Sequence, residues 1–266
     1  MQKEYIVDIV DMFFYEFPKY KNILASSLLK GDLIQQSKNT TKRIAFYYKK
    51  YGQGGVERVI SLLIPLFLKA GYGVVLITEV PEEENDFTLP NGVKRYVIPS
   101  KNDIDAGRIR YRERGKRLLD IYEKESIDTV CYEESSSRYL MYDLIVTKSA
   151  GIKFIVSKHE LFSQHFVFNR DILTDEMTSY PLADAITVLS KEEETFWRTL
   201  GVKSYLIPNP LTLEKTANYR YNCDADEIVW VGRLDRNQKQ YQEIAPIIKE
   251  VVKSVPNIII NIYGNN

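Results

Sequence analysis

The sequence predicts an α/β protein built on parallel sheets. Short apolar runs, which are typical of buried strands, alternate along the chain with longer stretches whose apolar residues recur at helical spacing. The C-terminal stretch shows this pattern clearly: the apolar run 228–231 ends at Gly232, an amphipathic stretch starts at Gln240, and a second apolar run covers 258–263. Strand, glycine turn, helix and strand form a βαβ unit, in which the two strands are parallel.

Composition is that of an ordinary globular protein with one large or two small domains. Of the 266 residues, 44% are hydrophobic and 27% are charged. Lys+Arg and Asp+Glu number 36 each, so no overall charge indicates a nucleic-acid partner. Cys131 and Cys223 lack the spacing of a metal site, and so few thiols suit a reducing compartment. We therefore expect a cytoplasmic protein.

The N-terminal residues 4–34 have apolar side chains at helical spacing, and Pro18 should divide them into two helices. These helices could pack on the following domain or lie on a membrane. Their charges balance, whereas helices that bind membrane surfaces are usually basic, so packing or a partner contact is favoured. We expect no secretory signal, because Asp8 and Asp11 interrupt the apolar stretch. Residues 1–41 are assigned to this helical extension and its linker.

A glycine-rich turn follows the first predicted strand, 43–48. Gly52, Gly54 and Gly55 precede a helix that starts near Val56. Such a turn lets backbone amides approach a ligand closely, although glycines also serve in tight turns that bind nothing. The pattern differs from G-x-G-x-x-G, so a nicotinamide cofactor is not indicated.

Further strands and helices follow from the same patterns through the middle of the chain. The strands are 74–78, 94–98, 127–132, 154–156, 183–190 and 202–207, and the helices are 105–124, 138–149 and 191–200. Basic residues dominate 101–117, which indicates either a solvated helix face or a patch for anionic lipid or an acidic acceptor. Ser190 should cap the helix 191–200, with Glu193 completing a capping box.

Two polar positions lie where sites commonly form in α/β proteins. His159 and Glu160 follow the strand 154–156 at its carboxyl end, although a lone histidine is more often structural than functional. Asn209 lies between Pro208 and Pro210, where a proline-built turn is a sufficient explanation.

The loop of the C-terminal βαβ unit carries two cations at the carboxyl end of its first strand. Arg233 follows Gly232, and Lys239 opens the next helix. A planar guanidinium with a mobile ammonium at a helix N-terminus suits a phosphate or a diphosphate. The alternative is that both are solvated loop charges.

The pattern G-R-L-D-x-x-x-K in this loop resembles that of the family-4 retaining glycosyltransferases of the GT-B fold. Further motifs match the family in the same order along the chain: G-G-x-E-R at 54–58, H-E at 159–160, and the strand up to Ser190 followed by I-P-N-P at 207–210. The resemblance implies two Rossmann-like domains that face each other across a cleft. The acceptor-side domain would cover 42–207, and the nucleotide-sugar-binding domain would start at 208.

The resemblance also implies a role for each motif. The catalytic candidates are His159 and Glu160, which would contact the acceptor or the transferred sugar. The donor diphosphate would be bound by Arg233, Lys239 and Gly232. The cleft loop would consist of Gly54, Gly55, Glu57 and Arg58, and Asn209 would lie between the domains. No metal and no cofactor is expected, because the nucleotide-diphosphate sugar is a substrate.

The sequence departs from the family at its C-terminal end. The E-x7-E segment, whose acidic residues bind the donor sugar and the ribose in the family, does not occur after Gly264. The domain 208–266 is therefore expected to be incomplete. Two strands and one helix cannot bury a core of their own. This portion should pack on the first domain, pair with another chain in a homo- or hetero-oligomer, or belong to a longer protein.

The function that the resemblance implies is hexosyl transfer from a nucleotide sugar to a saccharide or lipid-linked acceptor, with retention, in cell-surface polysaccharide biosynthesis. A peripheral contact with the inner membrane face stays open. An alternative is a catalytically incomplete remnant or an accessory subunit that binds sugar or acceptor. A phosphosugar enzyme of similar fold, such as an epimerase, is a third possibility.

Overall fold

The computed structural model describes residues 7–12, 14, 42–98, 107–160, 170–211, 227–232, 234, 239 and 241–264. The chain forms two compact units, Met1–Leu211 and Thr212–Asn266. The predicted break at Pro18, the linker 37–41, Arg233, His165 and Cys223 lie outside the described residues.

The first unit is organised around a seven-stranded parallel sheet with the order β3-β2-β1-β4-β5-β6-β7. The strands are β1 (Arg43–Tyr47), β2 (Gly73–Thr78), β3 (Lys94–Val97), β4 (Thr129–Tyr132), β5 (Lys153–Ser157), β6 (Ala185–Val188) and β7 (Ser204–Leu206). Every neighbouring pair is parallel, so all carboxyl ends lie along one edge of the sheet. The predicted α/β class with a parallel sheet is confirmed.

Helices pack on this sheet through apolar side chains from both of its faces. They are α1 (Gly55–Lys69), α2 (Gly107–Lys124), α3 (Leu140–Ser149), α4 (Arg170–Ser179) and α5 (Lys191–Thr199). In β1, Ile44 and Phe46 join the cluster that contains Ile60 of α1, whereas Ala45 and Tyr47 join the cluster that contains α2 and α3. Burial on both faces explains why the strands are continuous apolar runs.

The N-terminal segment packs on the side of the sheet that carries α2 and α3. Residues 7–12 are helical, and Val7 and Val10 are fully buried in the same cluster as α3. The ring of Phe14 lies 5.5 Å from that of Tyr142 and 5.7 Å from that of Tyr111. The described part of the segment therefore contributes to the core of the first unit.

Helix α4 was not predicted from the sequence, because the face that it buries is largely polar. Leu173, Glu176 and Ser179 are its buried residues, so the helix lacks the apolar stripe by which an amphipathic helix is recognised. A buried glutamate on such a helix needs a partner, and it has one in Lys158.

The second unit contains the predicted βαβ arrangement. Strand β8 (Glu227–Val231) pairs in parallel with β9 (Ile259–Tyr263), and helix α6 (Ile244–Ser254) lies between them in the chain. None of the described residues of this unit is fully buried, and Val231 is 74% exposed. Within the described residues, no helix has the length and apolar character that a membrane span requires.

The structure corrects the prediction that Lys239 opens the helix of this unit. Lys239 lies in a turn, a short 3-10 helix follows at Tyr241–Glu243, and α6 begins only at Ile244. Proline is tolerated in the first turn of a helix and disrupts the interior. A start at Ile244 keeps Pro246 within that first turn.

A buried arginine ties the ends of three strands to α2 and α3. The guanidinium of Arg114 donates to both oxygens of Asp143, at 2.7 and 2.5 Å, and to Oε1 of Glu79 at 2.8 Å. It also donates to the hydroxyl of Tyr47 at 2.9 Å, and the hydroxyl of Tyr132 donates to Asp143 at 2.9 Å. Burial opposes the charge of Arg114, but Asp143 holds its pKa well above the ordinary value.

We expect Arg114→Ala to lower the free energy of unfolding by about 3–5 kcal/mol, because Asp143 would stay buried without its cation. Guanidinium unfolding followed by circular dichroism measures the change. The control is Arg112→Ala on the same helix, whose side chain is 51% exposed, and it should cost less than about 1 kcal/mol. Equal losses in the free energy of unfolding for the two variants would contradict the stabilising role of the buried Arg114–Asp143 pair.

Buried tyrosines should make the first unit sensitive to alkali. Burial raises the pKa of Tyr51 to about 12, and the hydroxyl has no hydrogen-bond partner among the described residues. The folded state therefore keeps a proton that the unfolded state releases above pH ~10, so stability falls as pH rises through this range. The free energy of unfolding of Tyr51→Phe should equal that of wild type at pH 8 and exceed it by about 1 kcal/mol at pH 11. Parallel pH curves for the two proteins would rule this out.

Candidate functional site

The candidate site lies where the strand order of the first unit reverses. The chain runs outward from β1 to β3 and then continues from β4 on the other side of β1. In open parallel sheets, ligands bind outside the carboxyl ends of the strands at such a switch point. The loops after β1, β4 and β5 carry the turn 52–55, Glu133 and His159 respectively.

The side chain of a residue that follows the glycine turn packs against it. Gly54 is the N-cap of α1, and its carbonyl accepts from the backbone N–H of Arg58 at 2.9 Å. Glu57 is buried and folds over this turn, so a Cβ on Gly54 would lie 2.2 Å from its Oε2. The Nζ of Lys50 lies 4.0 Å from Oε1 of Glu57. Glu57 thus contacts the loop itself.

The other two residues of this motif, Gly55 and Arg58, are exposed to solvent. A Cβ at Gly55 would meet no atom within 4 Å, so the first turn of α1 is accessible there. Arg58 is exposed, and its guanidinium lies 5.9 Å from the centre of the Phe87 ring. A helix N-terminus with open space in front of it favours an anionic ligand group.

His159 is turned toward the sheet and bonded to a glutamate that sequence analysis did not select. Its Nε2 lies 2.7 Å from Oε2 of Glu133, and the two side chains are 10% and 2% exposed. The hydroxyl of Ser157 donates to the other oxygen of Glu133 at 3.1 Å. The Nδ1 of His159 is shielded from solvent and has no hydrogen-bond partner among the described residues. Within the described part of the chain, one ring nitrogen is therefore bonded to the protein and the other is not.

The residue before His159, at the end of β5, forms a buried ion pair. The Nζ of Lys158 donates to Oε1 of Glu176 at 2.7 Å and lies 4.0 Å from Oε1 of Glu193, and all three side chains are fully buried. Tyr180 also donates to Glu176, at 2.9 Å. The backbone N–H of Lys158 donates to the carbonyl of Thr187 in β6. The strand end that presents His159 is thus anchored by its neighbour.

Glu160, the partner of His159 in the sequence motif, differs from it in exposure. Glu160 is exposed and lies within electrostatic range of Glu134. Burial raises the pKa of Glu134 above its ordinary value, Lys49 at 3.3 Å opposes the rise, and the charge of Glu160 adds to it. The two catalytic candidates therefore have different surroundings, one enclosed and one solvated.

The remaining predicted residues of the first unit are Ser190 and Asn209. The hydroxyl of Ser190 accepts from the backbone N–H of Glu193 at 3.2 Å, so the predicted N-cap is confirmed. Asn209 is exposed in the irregular stretch that follows β7.

In the second unit, Gly232 and Lys239 lie close together at the carboxyl end of β8. A Cβ built on Gly232 would lie 3.6 Å from Cδ of Lys239, and the Lys239 side chain is exposed. The N–H of Gly232 donates to the carbonyl of Tyr263 at 2.9 Å. Arg233, the other predicted diphosphate ligand, is not among the described residues.

Glu133 could have been selected from the sequence if strand neighbours had been considered. The register pairs Tyr132 of β4 with Val156 of β5, so the next residues, Glu133 and Ser157, are also neighbours. A prediction that β4 and β5 are adjacent and parallel would have placed Glu133 beside the His159 loop. Lys158 gave no such signal, because a lysine at the end of a strand is usually solvated.

Comparisons with known proteins agree with this fold. The model of the family described as Glycosyltransferase Family 4 matches residues 53–215. The search of curated proteins returned no match.

Several solved structures have a similar fold at low sequence identity. Sucrose-phosphate synthase from Thermosynechococcus elongatus is 15% identical with a TM-score of 0.58, over 87% of this chain and 71% of that one. The lipopolysaccharide outer core galactosyltransferase WaaB, in its apo form, is 16% identical with a TM-score of 0.58, over 84% and 68%. Anabaena HepE in complex with UDP-glucose is 11% identical with a TM-score of 0.55, over 84% and 69%. The likeness confirms the predicted GT-B fold class.

Two adjacent glycines should respond in opposite ways to alanine. Gly54→Ala would displace the Glu57 carboxylate from the turn, and we expect a loss of about 1 kcal/mol in the free energy of unfolding. Gly55→Ala meets no neighbour and removes a glycine from the helix, so a gain of about 0.5–1 kcal/mol is expected. Chemical unfolding of both variants is the measurement. The same sign of change in both would contradict the role of Glu57.

Proposed function

The chain belongs to glycosyltransferase family 4 and is a glycosyltransferase, and from that premise we propose that it moves a hexose-type sugar from a nucleotide-diphosphate sugar to a saccharide or lipid-linked acceptor. We propose further that the transfer proceeds with retention. The observation that carries the proposal is the enclosed His159, which lies within the matched segment at the carboxyl edge of the sheet. One of its ring nitrogens has no hydrogen-bond partner among the residues that the structure describes. HepE, which shares the fold, binds UDP-glucose.

The chemistry of this transfer sets requirements for the residues that bind the donor. The bond between the anomeric carbon and the diphosphate oxygen breaks, and negative charge develops on the leaving diphosphate. Retention means that the acceptor oxygen bonds to the anomeric carbon on the face from which the diphosphate departs, and the proton of the acceptor hydroxyl passes to an oxygen of the departing diphosphate. Cations beside the leaving group stabilise its charge, and this is the role that we propose for Arg233 and Lys239.

The first unit would supply contacts to the sugar and the acceptor. His159 would orient a sugar hydroxyl, and the Gly54–Gly55 turn with Arg58 would approach the anionic part of a substrate. The exposed Glu160 is the second catalytic candidate, near the acceptor. By analogy with the family, we propose that the product enters cell-surface polysaccharide biosynthesis, in the cytoplasm or at the inner membrane face.

The exposed apolar side chains of the second unit favour one alternative. Val231 is 74% exposed and Ile259 is 60% exposed, so this unit leaves apolar surface uncovered. A chain of this kind could be a catalytically incomplete remnant, or an accessory subunit that gains its donor half from a partner in a homo- or hetero-oligomer.

Calorimetric titration with UDP, GDP and ADP tests the donor site. We expect one nucleotide to bind, and Lys239→Ala or Arg233→Ala to weaken it about tenfold or more, because a hydrogen bond to a charged group is worth about 1.5–3 kcal/mol. The matched control is Lys253→Ala on α6, an exposed lysine paired with Glu250, which should bind as wild type does.

Unchanged nucleotide affinity in both loop variants would contradict the diphosphate assignment. No binding of any nucleotide to the wild-type chain would instead support the alternative of an incomplete donor half.

A further inference from the structure

Glu133 is held in place by contacts to both neighbouring strands. Its backbone N–H donates to the carbonyl of Tyr47 at the end of β1, at 2.9 Å. Its carboxylate accepts from Ser157 at 3.1 Å and bonds to His159 at 2.7 Å, both at the end of β5. The side chain is 2% exposed. The carboxylate therefore cannot shift without breaking its hydrogen bonds to Ser157 and His159.

This geometry determines which nitrogen of His159 carries a hydrogen. A carboxylate only accepts, so the Nε2 that faces Glu133 must be the donor. In the neutral imidazole the lone pair is then on Nδ1, which makes Nδ1 a hydrogen-bond acceptor. The protein thus selects one of two tautomers by placing a single carboxylate.

A purely structural role for His159 does not explain why its Nδ1 is buried with no hydrogen-bond partner among the described residues. A buried polar atom without a partner costs about 1–3 kcal/mol, and most buried polar atoms in proteins are paired. Nδ1 is shielded from solvent and has no partner among the described residues. The end of β5 does not need His159 as an anchor, because Lys158 already bonds to Glu176 there.

A sugar hydroxyl fits the requirement of such an atom. A hydroxyl can donate a hydrogen bond to the lone pair of an imidazole nitrogen. A substrate hydroxyl that donates to Nδ1 would therefore add the free energy of this hydrogen bond to substrate binding. Charged ligand groups fit less well, since a phosphate oxygen could only accept. The atom therefore favours the sugar part of a substrate over its diphosphate.

We propose that Glu133 is the positioning residue of the sugar site: it fixes His159 as the Nε2–H tautomer and leaves Nδ1 to accept a hydrogen bond from a hydroxyl of the sugar substrate. This inference rests on the proposed glycosyl transfer. Glu133 itself touches no substrate and acts through His159.

The tautomer can be measured without any ligand. The chain contains two histidines, so His165→Gln leaves His159 as the single one, and long-range 1H–15N correlation spectra then report its tautomer. We expect the Nε2–H pattern in that protein and in its Glu133→Gln derivative, whose amide oxygen can still accept. Glu133→Ala should give a mixture of tautomers. A dominant Nδ1–H form in the Glu133 protein would overturn the proposal.

Kinetic measurements test whether the tautomer that Glu133 imposes on His159 affects turnover of the substrate. With UDP-glucose as the probe, donor hydrolysis by Glu133→Ala should have a kcat about tenfold lower or more, with Glu133→Gln in between. The affinity for UDP should be unchanged, because UDP lacks the glucose that His159 would contact. In a His159→Ala background, Glu133→Ala should have no further effect, as expected of a residue that acts through His159.

The matched control is Glu125→Gln. Glu125 is also a buried glutamate, and it is bonded to Arg43 at 2.7 Å and to Lys94 at 2.8 Å, just before β4 at the opposite edge of the sheet. This variant should lose stability but keep the tautomer and kcat of wild type.

Failure of the inference and failure of the proposed function give different results. Wild-type kcat in Glu133→Ala, or full additivity with His159→Ala, would overturn the positioning role while the enzyme stays active. If wild type hydrolyses none of UDP-glucose, GDP-glucose and ADP-glucose, that result would count against the proposed function, and the tautomer spectra would still decide the role of Glu133.

Discussion

Parallel pairing places the carboxyl ends of all seven strands of the first unit along one edge, and this constraint governs the rest of that unit. Helices pack on both faces, so polar side chains at this edge are enclosed and need partners. Arg114 with Asp143 ties the ends of β1, β2 and β4 together, and Lys158 with Glu176 anchors β5. These paired charges bind the strand ends to the helices, and His159 follows directly after one of these anchored ends.

Much of the fold followed from the sequence, because apolar runs bounded by turns leave few alternatives for a buried strand. Each predicted strand of the first unit is present, as is the parallel pair in the second. Helix α4 was missed because it buries Glu176 and Ser179 rather than an apolar stripe, and the start of α6 was misplaced because the effect of Pro246 was not considered.

The candidate site was only partly predictable. Motif matching selected His159 and the glycine turn, since those residues are recognisable by type and spacing. It could not find Glu133, whose importance depends on which strands are neighbours, or Arg114 and Lys158, because a charged side chain in a sequence is expected to be solvated. Buried charges become visible only when their partners, distant in sequence, are brought together by the sheet.

A crystal structure of the protein with a nucleotide sugar would test the central claim most directly. We predict that a sugar hydroxyl lies about 3 Å from Nδ1 of His159, with Nε2 still bonded to Glu133. A complex in which the sugar lies away from the carboxyl edge of β5, or in which Nδ1 is bonded to a protein group, would contradict it.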